Sequence, residues 1–255
     1  MSEPSLYLAA SVFGLCFGSF LNVVIYRLPL GQSLNTPPSR CRKCGYSLRW
    51  FDNVPVLSWM LLRGRCRKCG VAVSWQYPLV ELITAALFVL VVWMTPLGPL
   101  VATRLLFVCI LIVLFGIDLE HQILPNVITL PGIVIGVLLS LIAPPGWKDA
   151  LIGAALGAAV LYAIAGAYYL WRREEGMGMG DVKMLAMIGA FLGWKAVLVT
   201  LVLASFSGAV IGVLLMAAQR GNMKFALPFG TFLALGAVVA MFVGEPLVAW
   251  YAGFY

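Results

Sequence analysis

Long runs of apolar positions, broken by short polar or Gly- and Pro-bearing stretches, fill most of this chain. Their periodicity and punctuation predict apolar helices over residues 5–26, 78–95, 100–117, 124–143, 150–171, 196–218 and 225–243. A hydrocarbon core of roughly 30 Å takes about 20 helical residues to cross, and several of these runs reach that length. An eighth stretch, Val182 to Gly193, has only twelve residues. It is expected either as a short tilted span or as a half-helix buried against its neighbours. The pattern therefore predicts an all-α polytopic membrane protein of about eight transmembrane helices. The first run, Leu6 to Tyr26, is too long for a signal-peptide core and lacks a basic segment before it and a small-residue cleavage site after it, so it reads as the first span. The apolar, aromatic tail after Glu245 is compatible with an extended last helix or with an interfacial segment.

Composition supports the same class. Of 255 residues 62% are hydrophobic and 11% charged, with a mean hydropathy of +1.00, which excludes an ordinary soluble core. The net charge of +7 alone would suit a nucleic-acid partner. Its distribution points instead to membrane topology, with a lipid bilayer and no nucleic acid as the expected partner. Nine of the seventeen Lys and Arg residues lie in the one long polar segment, 27–77. The positive-inside bias makes that segment a cytoplasmic loop and puts the N-terminus on the periplasmic side. With eight crossings Arg172, Arg173, Lys183, Arg220 and Lys224 also fall inside, and only Arg104, Lys148 and Lys195 fall outside.

Within this loop the chain reads Cys41-Arg-Lys-Cys44-Gly and, twenty-one residues later, Cys66-Arg-Lys-Cys69-Gly. A two-residue gap lets both thiolates of a pair point at one centre, and two such knuckles complete a tetrahedral sulfur site, for which Zn2+ is the first choice. Disulfides or a redox pair are the competing reading, disfavoured on the reducing side of the membrane. Between the knuckles, Trp50, Phe51, Pro55, Trp59, Leu61 and Leu62 are expected to pack over the metal rather than to sit at the membrane interface. Cys16 and Cys109 lie in apolar runs and read as inert small hydrophobes.

Ionisable groups at membrane spans are costly and draw attention. Asp118 ends the third run in Gly116-Ile-Asp118-Leu-Glu120-His121, and Asp181 opens the short segment in Gly176-Met-Gly178-Met-Gly180-Asp181-Val-Lys183. At one depth on neighbouring helices, two carboxylates share a proton and support peptide hydrolysis, one as base and one as acid. Asp181 reads equally as a helix N-cap after glycine, and Asp118 as an interfacial carboxylate. Glu120 and His121 are further acid, base or ligand candidates. Lys183 either pairs with a carboxylate or snorkels to headgroups. Glycines 176, 178 and 180 leave room for a substrate backbone or for an opposing helix.

These motifs, in this order, resemble the bacterial type IV prepilin leader peptidases of the GxGD class of intramembrane aspartyl proteases. The resemblance rests on Gly18-Ser-Phe-Leu-Asn22 through Arg27-Leu-Pro29, the two CxxC knuckles, Tyr77-Pro78-Leu-Val-Glu81, the aspartate followed by Leu124-Pro125, and Gly178-Met-Gly180-Asp181-Val-Lys183. It implies that Asp118 and Asp181 are the catalytic pair, that Cys41, Cys44, Cys66 and Cys69 bind zinc, and that the substrates are type IV prepilins or type II secretion pseudopilins in a bacterial inner membrane. It also implies N-methylation of the new N-terminus from S-adenosyl-L-methionine, with the zinc loop associated with that step. Glu81 is a candidate for orienting the amine, and Gly178, Gly180 and Lys183 are candidates for holding substrate. The implied organisation is a first helix (1–26), a cytoplasmic zinc loop (27–77) and a protease core (78–255). Asn126 stands where many relatives carry an acid, which leaves the Asp118 assignment intact. A zinc-binding transporter should show internal repeats and midplane charges, and a thiol redox protein should expose its cysteines outside; neither pattern is evident.

Overall fold

The structure is a computed structural model that describes residues 3–174, 177–218 and 227–253; Gly176, Arg220 and Lys224 lie outside the described residues. Its elements are α1 (Glu3–Arg27), a 3-10 turn (Trp50–Asp52), α2 (Leu57–Leu61), α3 (Gln76–Met94), α4 (Pro99–His121), α5 (Asn126–Leu139), α6 (Trp147–Arg172), α7 (Met179–Leu192), α8 (Trp194–Ala218) and α9 (Phe229–Ala252). Each expected apolar run holds a helix among the described residues, with 225–226 of the last run lying outside them. Among the described residues five of these helices, α1, α3, α4, α6 and α8, are long and apolar enough to cross a membrane, and α5 and the described part of α9 are shorter apolar helices. The run expected over 124–143 shortens to fourteen helical residues, because Leu124-Pro125 remains extended before α5 and the chain turns at Ser140 after it. The tail after Glu245 continues α9 to Ala252.

The chain divides into two compact units, Met1–Val113 and Leu114–Tyr255. In the first, α1 packs along α3. Small residues set this approach: a Cβ on Gly14 would stand 2.5 Å from the Ala85 Cα, and one on Gly18 would stand 2.6 Å from the Glu81 Cα. Asn22, buried in the same seam, donates its amide to the Tyr77 carbonyl at 3.0 Å and so satisfies itself in an apolar setting.

In the second unit α7 is the central element, contacted by α5, α6, α8 and α9. Its residues Met184 to Phe191 are all buried. Of the two forms expected for this short stretch, the structure has the helix buried against its neighbours. Gly189 on α7 meets the Gly153 carbonyl on α6 so closely that a Cβ there would collide with it, and Gly157 meets the Leu185 main chain in the same way. Those contacts bring Asp181, at the start of α7, to a defined place.

Candidate active site and cysteine centre

Asp118 sits in the last turn of α4 and is only 4% exposed. Its Oδ2 accepts the main-chain N–H of Thr231 at 2.7 Å and faces the Thr231 hydroxyl at 3.4 Å. Thr231 lies in the first turn of α9, where N–H groups have no partner within the helix and the helix dipole favours an anion. The Thr231 hydroxyl also donates to the Pro228 carbonyl. Gly230 makes this approach feasible, since a Cβ there would lie 2.9 Å from Asp118 Oδ2. Neither residue was singled out from the sequence. The available signal was Pro228 followed by Gly230-Thr231 at the head of an apolar run, a helix-start pattern.

Asp181 is in the first turn of α7, but the N-cap is Gly178, so the N-cap role open to Asp181 from sequence is taken by another residue. Among the described residues no hydrogen-bond donor meets its carboxylate, and it lies close enough to Asp118 for their charges to interact. Leu124 ties the arrangement together: the Cβ position of Gly180 is 2.9 Å from Leu124 Cβ, and that of Gly230 is 3.0 Å from Leu124 Cδ1. The space over Gly180 is therefore filled by the chain itself, whereas the Cβ position of Gly178 meets nothing closer than Asp181 Oδ2 at 3.8 Å. Lys183 donates to Asn126 Oδ1 at 2.8 Å, so its partner is an amide rather than a carboxylate. Glu120 approaches His121 at 3.9 Å, both at the surface.

The four loop cysteines belong to the first unit and form one cluster, with all Sγ atoms within 4.8 Å of one another. Cys41 and Cys69 sulfurs are 3.7 Å apart and those of Cys44 and Cys66 4.0 Å, while no cysteine forms a disulfide. Tetrahedral zinc with Zn–S near 2.3 Å separates its sulfurs by about 3.8 Å, so the cluster fits that ion. Each knuckle is built alike. Cys41 N–H donates to Tyr46 O and Gly45 N–H to Cys41 O; Cys66 N–H donates to Val71 O and Gly70 N–H to Cys66 O. Gly45 and Gly70 have φ of 69° and 67°, a left-handed turn that favours glycine. The main-chain N–H groups of Cys44 and Lys43 hold the Cys41 thiol down to about 6. At Cys69 the Val71 N–H acts in the same sense, yet burial and the neighbouring thiols push it up to about 11.

Asp52, which the sequence did not flag, links the knuckles. It accepts from Tyr46 Oη at 3.0 Å and from Arg49 N–H at 3.3 Å on one side, and from Arg67 Nε at 2.6 Å on the other. Burial acts to raise its pKa, but the Arg67 hydrogen bond and the other donors outweigh it and hold the carboxyl below its usual range. Phe51 and Trp59 are half-buried, the latter donating its indole N–H to Val73 O at 3.1 Å. Trp50 and Leu61, expected to pack over the metal, are instead each 83% exposed. Their side chains leave from the outer faces of the 3-10 turn and α2, while Ser58 and Trp59 occupy the inner face. Glu81, 7% exposed, is a residue of the same unit: its Oε2 accepts the Val56 N–H at 2.7 Å, and the Ser19 hydroxyl also bonds to it.

Comparison with known proteins identifies the family. The family described as Bacterial Peptidase A24 N-terminal domain matches residues 12–95, and the Type IV leader peptidase family matches residues 105–213. A Prepilin leader peptidase/N-methyltransferase of Myxococcus xanthus is 46% identical over 81% of this chain and 62% of its own length. One of Aeromonas salmonicida is 38% identical over 97% of this chain and 94% of its own, and one of Pseudomonas aeruginosa 34% identical over 99% and 96%. No solved structure matches the chain. The two family matches in sequence order, with relatives covered almost end to end, establish that this chain belongs to the type IV leader peptidase family of bacterial A24 peptidases, alongside proteins named prepilin leader peptidase/N-methyltransferase.

Proposed function

We propose that this protein removes the basic leader from type IV prepilins or type II secretion pseudopilins at the cytoplasmic face of a bacterial inner membrane, with Asp118 and Asp181 as the catalytic pair, and N-methylates the new N-terminus. The observation that carries the reading is the buried Asp118 carboxylate, held by the start of α9 and within electrostatic reach of Asp181. Topology follows from the fourteen-to-three distribution of basic residues, with eight crossings, the N-terminus periplasmic and the cysteine loop cytoplasmic.

In this reading the donors from Thr231 favour Asp118 as the ionised partner, and Asp181, without such donors, carries the shared proton. Asp118 takes a proton from water as the water oxygen bonds to the scissile carbonyl carbon, while Asp181 gives its proton to the carbonyl oxygen. When the tetrahedral diol collapses, the C–N bond breaks and the proton held on Asp118 passes to the departing amine. The new carboxyl returns a proton to Asp181, and the pair is restored. Gly178, with open space beside Asp181, is placed to let the substrate backbone approach, and Lys183 and Gly180 hold the α7 start through Asn126 and Leu124. For the second reaction S-adenosylmethionine would supply the methyl group. Cys41, Cys44, Cys66 and Cys69 would hold zinc, which supplies a rigid crosslink to the loop. Glu81, in the same unit, is the candidate to orient the amine.

The test is leader removal from a prepilin, followed by mass spectrometry with and without S-adenosylmethionine, for the wild type and for Asp118→Asn and Asp181→Asn. Loss of cleavage in each folded, metal-loaded variant, with one added methyl group on wild-type product, is expected. Normal cleavage by either variant overturns the dyad.

A further inference from the structure

The cysteine loop enters and leaves through α1 and α3, and one part of it does not stay at their ends. Val56 donates its N–H to Glu81, the sixth residue of α3. At 1.5 Å per residue this point lies roughly 7 Å along the helix from its start. α3 has nineteen residues, about 28 Å, against a hydrocarbon core of roughly 30 Å. A helix with no spare length puts Glu81, and with it Val56, below the level at which the chain emerges. Val56 itself has φ 59° and ψ −51°, with Leu57 N–H bonded back to Pro55 O. That is a γ-turn of the strained kind, unusual for a β-branched residue and persisting only where surroundings hold it.

This turn leads directly into α2. Leu57, Met60 and Leu61, spaced at i, i+3 and i+4, form its outer face and are all exposed, and the 3-10 turn that contacts α2 carries Trp50, which is 83% exposed. Exposed Arg49 and Arg63 flank the segment at either end. An apolar face with an indole, rimmed by cations and fixed at the depth of a membrane helix's first turns, has the chemistry of the headgroup-to-acyl boundary.

We propose that residues 50–61 of the cysteine loop are seated in the interface of the bilayer, with Trp50, Leu57, Met60 and Leu61 among the upper acyl chains and Arg49 and Arg63 at anionic headgroups. The Val56–Glu81 bond anchors the segment at that depth, so the metal cluster stands on the membrane rather than free in solution.

The test uses the full chain in nanodiscs of phosphatidylethanolamine and phosphatidylglycerol whose acyl chains are brominated near the headgroup. Tryptophan emission is compared between wild type and Trp50→Phe, with aqueous iodide as the opposing quencher. Trp50→Phe is expected to remove a component quenched by the bromolipid and insensitive to iodide, and Leu61→Glu, or Leu61→Ala if the first fails to fold, is expected to weaken bromolipid quenching of Trp50. Unchanged metal content serves as the folding control. If the component lost in Trp50→Phe is quenched by iodide and not by bromolipid, the segment faces water and the proposal falls. It falls equally if Trp50 becomes shielded from iodide only on addition of a prepilin, which would make the patch a protein-docking surface.

Discussion

The main-chain N–H of Thr231 donates to Oδ2 of Asp118 across 2.7 Å, so the start of α9 holds the carboxylate at the end of α4. An orphan N–H at a helix start is a donor that needs no reorganisation to hold a negative charge. This relationship distinguishes Asp118 from Asp181, which has no such donor among the described residues.

The donor and the hydroxyl of Thr231 are separable. Thr231→Val keeps the N–H and loses the hydroxyl, with its 3.4 Å contact to Asp118 and its bond to the Pro228 carbonyl, and kcat/KM for leader removal is expected within about threefold of wild type. Thr231→Pro keeps a first-turn residue compatible with a helix but removes the N–H, a hydrogen bond to a charged group. The expected loss is about 1.5–3 kcal/mol, roughly ten- to hundredfold in kcat/KM. Equal effects of the two variants would show that the N–H does not hold the carboxylate.

Leu124 should couple α7 to α9. Gly180→Ala puts a methyl group at 2.9 Å from Leu124 Cβ, and activity is expected to fall about tenfold. Leu124→Ala in the same chain should return much of that loss, giving a coupling of about 1 kcal/mol in a double-mutant cycle of cleavage rates. Gly178→Ala, whose methyl group has open space, is expected to preserve the fold in thermal melts.

Asp52 links stability of the cysteine loop to pH. Its pKa in the fold is lower than in the unfolded loop, so its contribution is complete above the usual carboxylate range and is lost as pH falls through the lowered value. Asp52→Asn is expected to weaken zinc retention roughly tenfold at neutral pH. The wild type should lose part of its advantage over the variant on acidification, measured by chelator competition across pH. An advantage that grows as pH falls would contradict the sign argued here.

The α6–α7 seam should tolerate no side chain. Gly189→Ala drives a methyl group into the Gly153 carbonyl, and a loss of about 1–3 kcal/mol is expected, read as a lower melting temperature in detergent. Gly166→Ala on the same α6, where a Cβ meets nothing within 4 Å, is the matched control and is expected to change the melt little.

Much of this protein was legible one residue at a time. Apolar runs are a local property, so the helices and the two CxxC turns follow from the chain itself. The knuckles even predict their own closure, because thiols two residues apart and a left-handed glycine specify the local turn. Helix ends were less legible: α5 is shorter than its apolar run and α9 longer, since hydropathy does not register where hydrogen bonding stops. What only the tertiary structure decided are relationships between residues far apart in sequence. Thr231 lies 113 positions from Asp118, Lys183 lies 57 from Asn126, and Glu81 lies 25 from Val56. Charge marked Asp118, Lys183 and Glu81 in the sequence, but no local pattern named the residue that each would meet. Their pairing depends on how close two helices approach, which glycines at the seams permit and which no periodicity within one helix records.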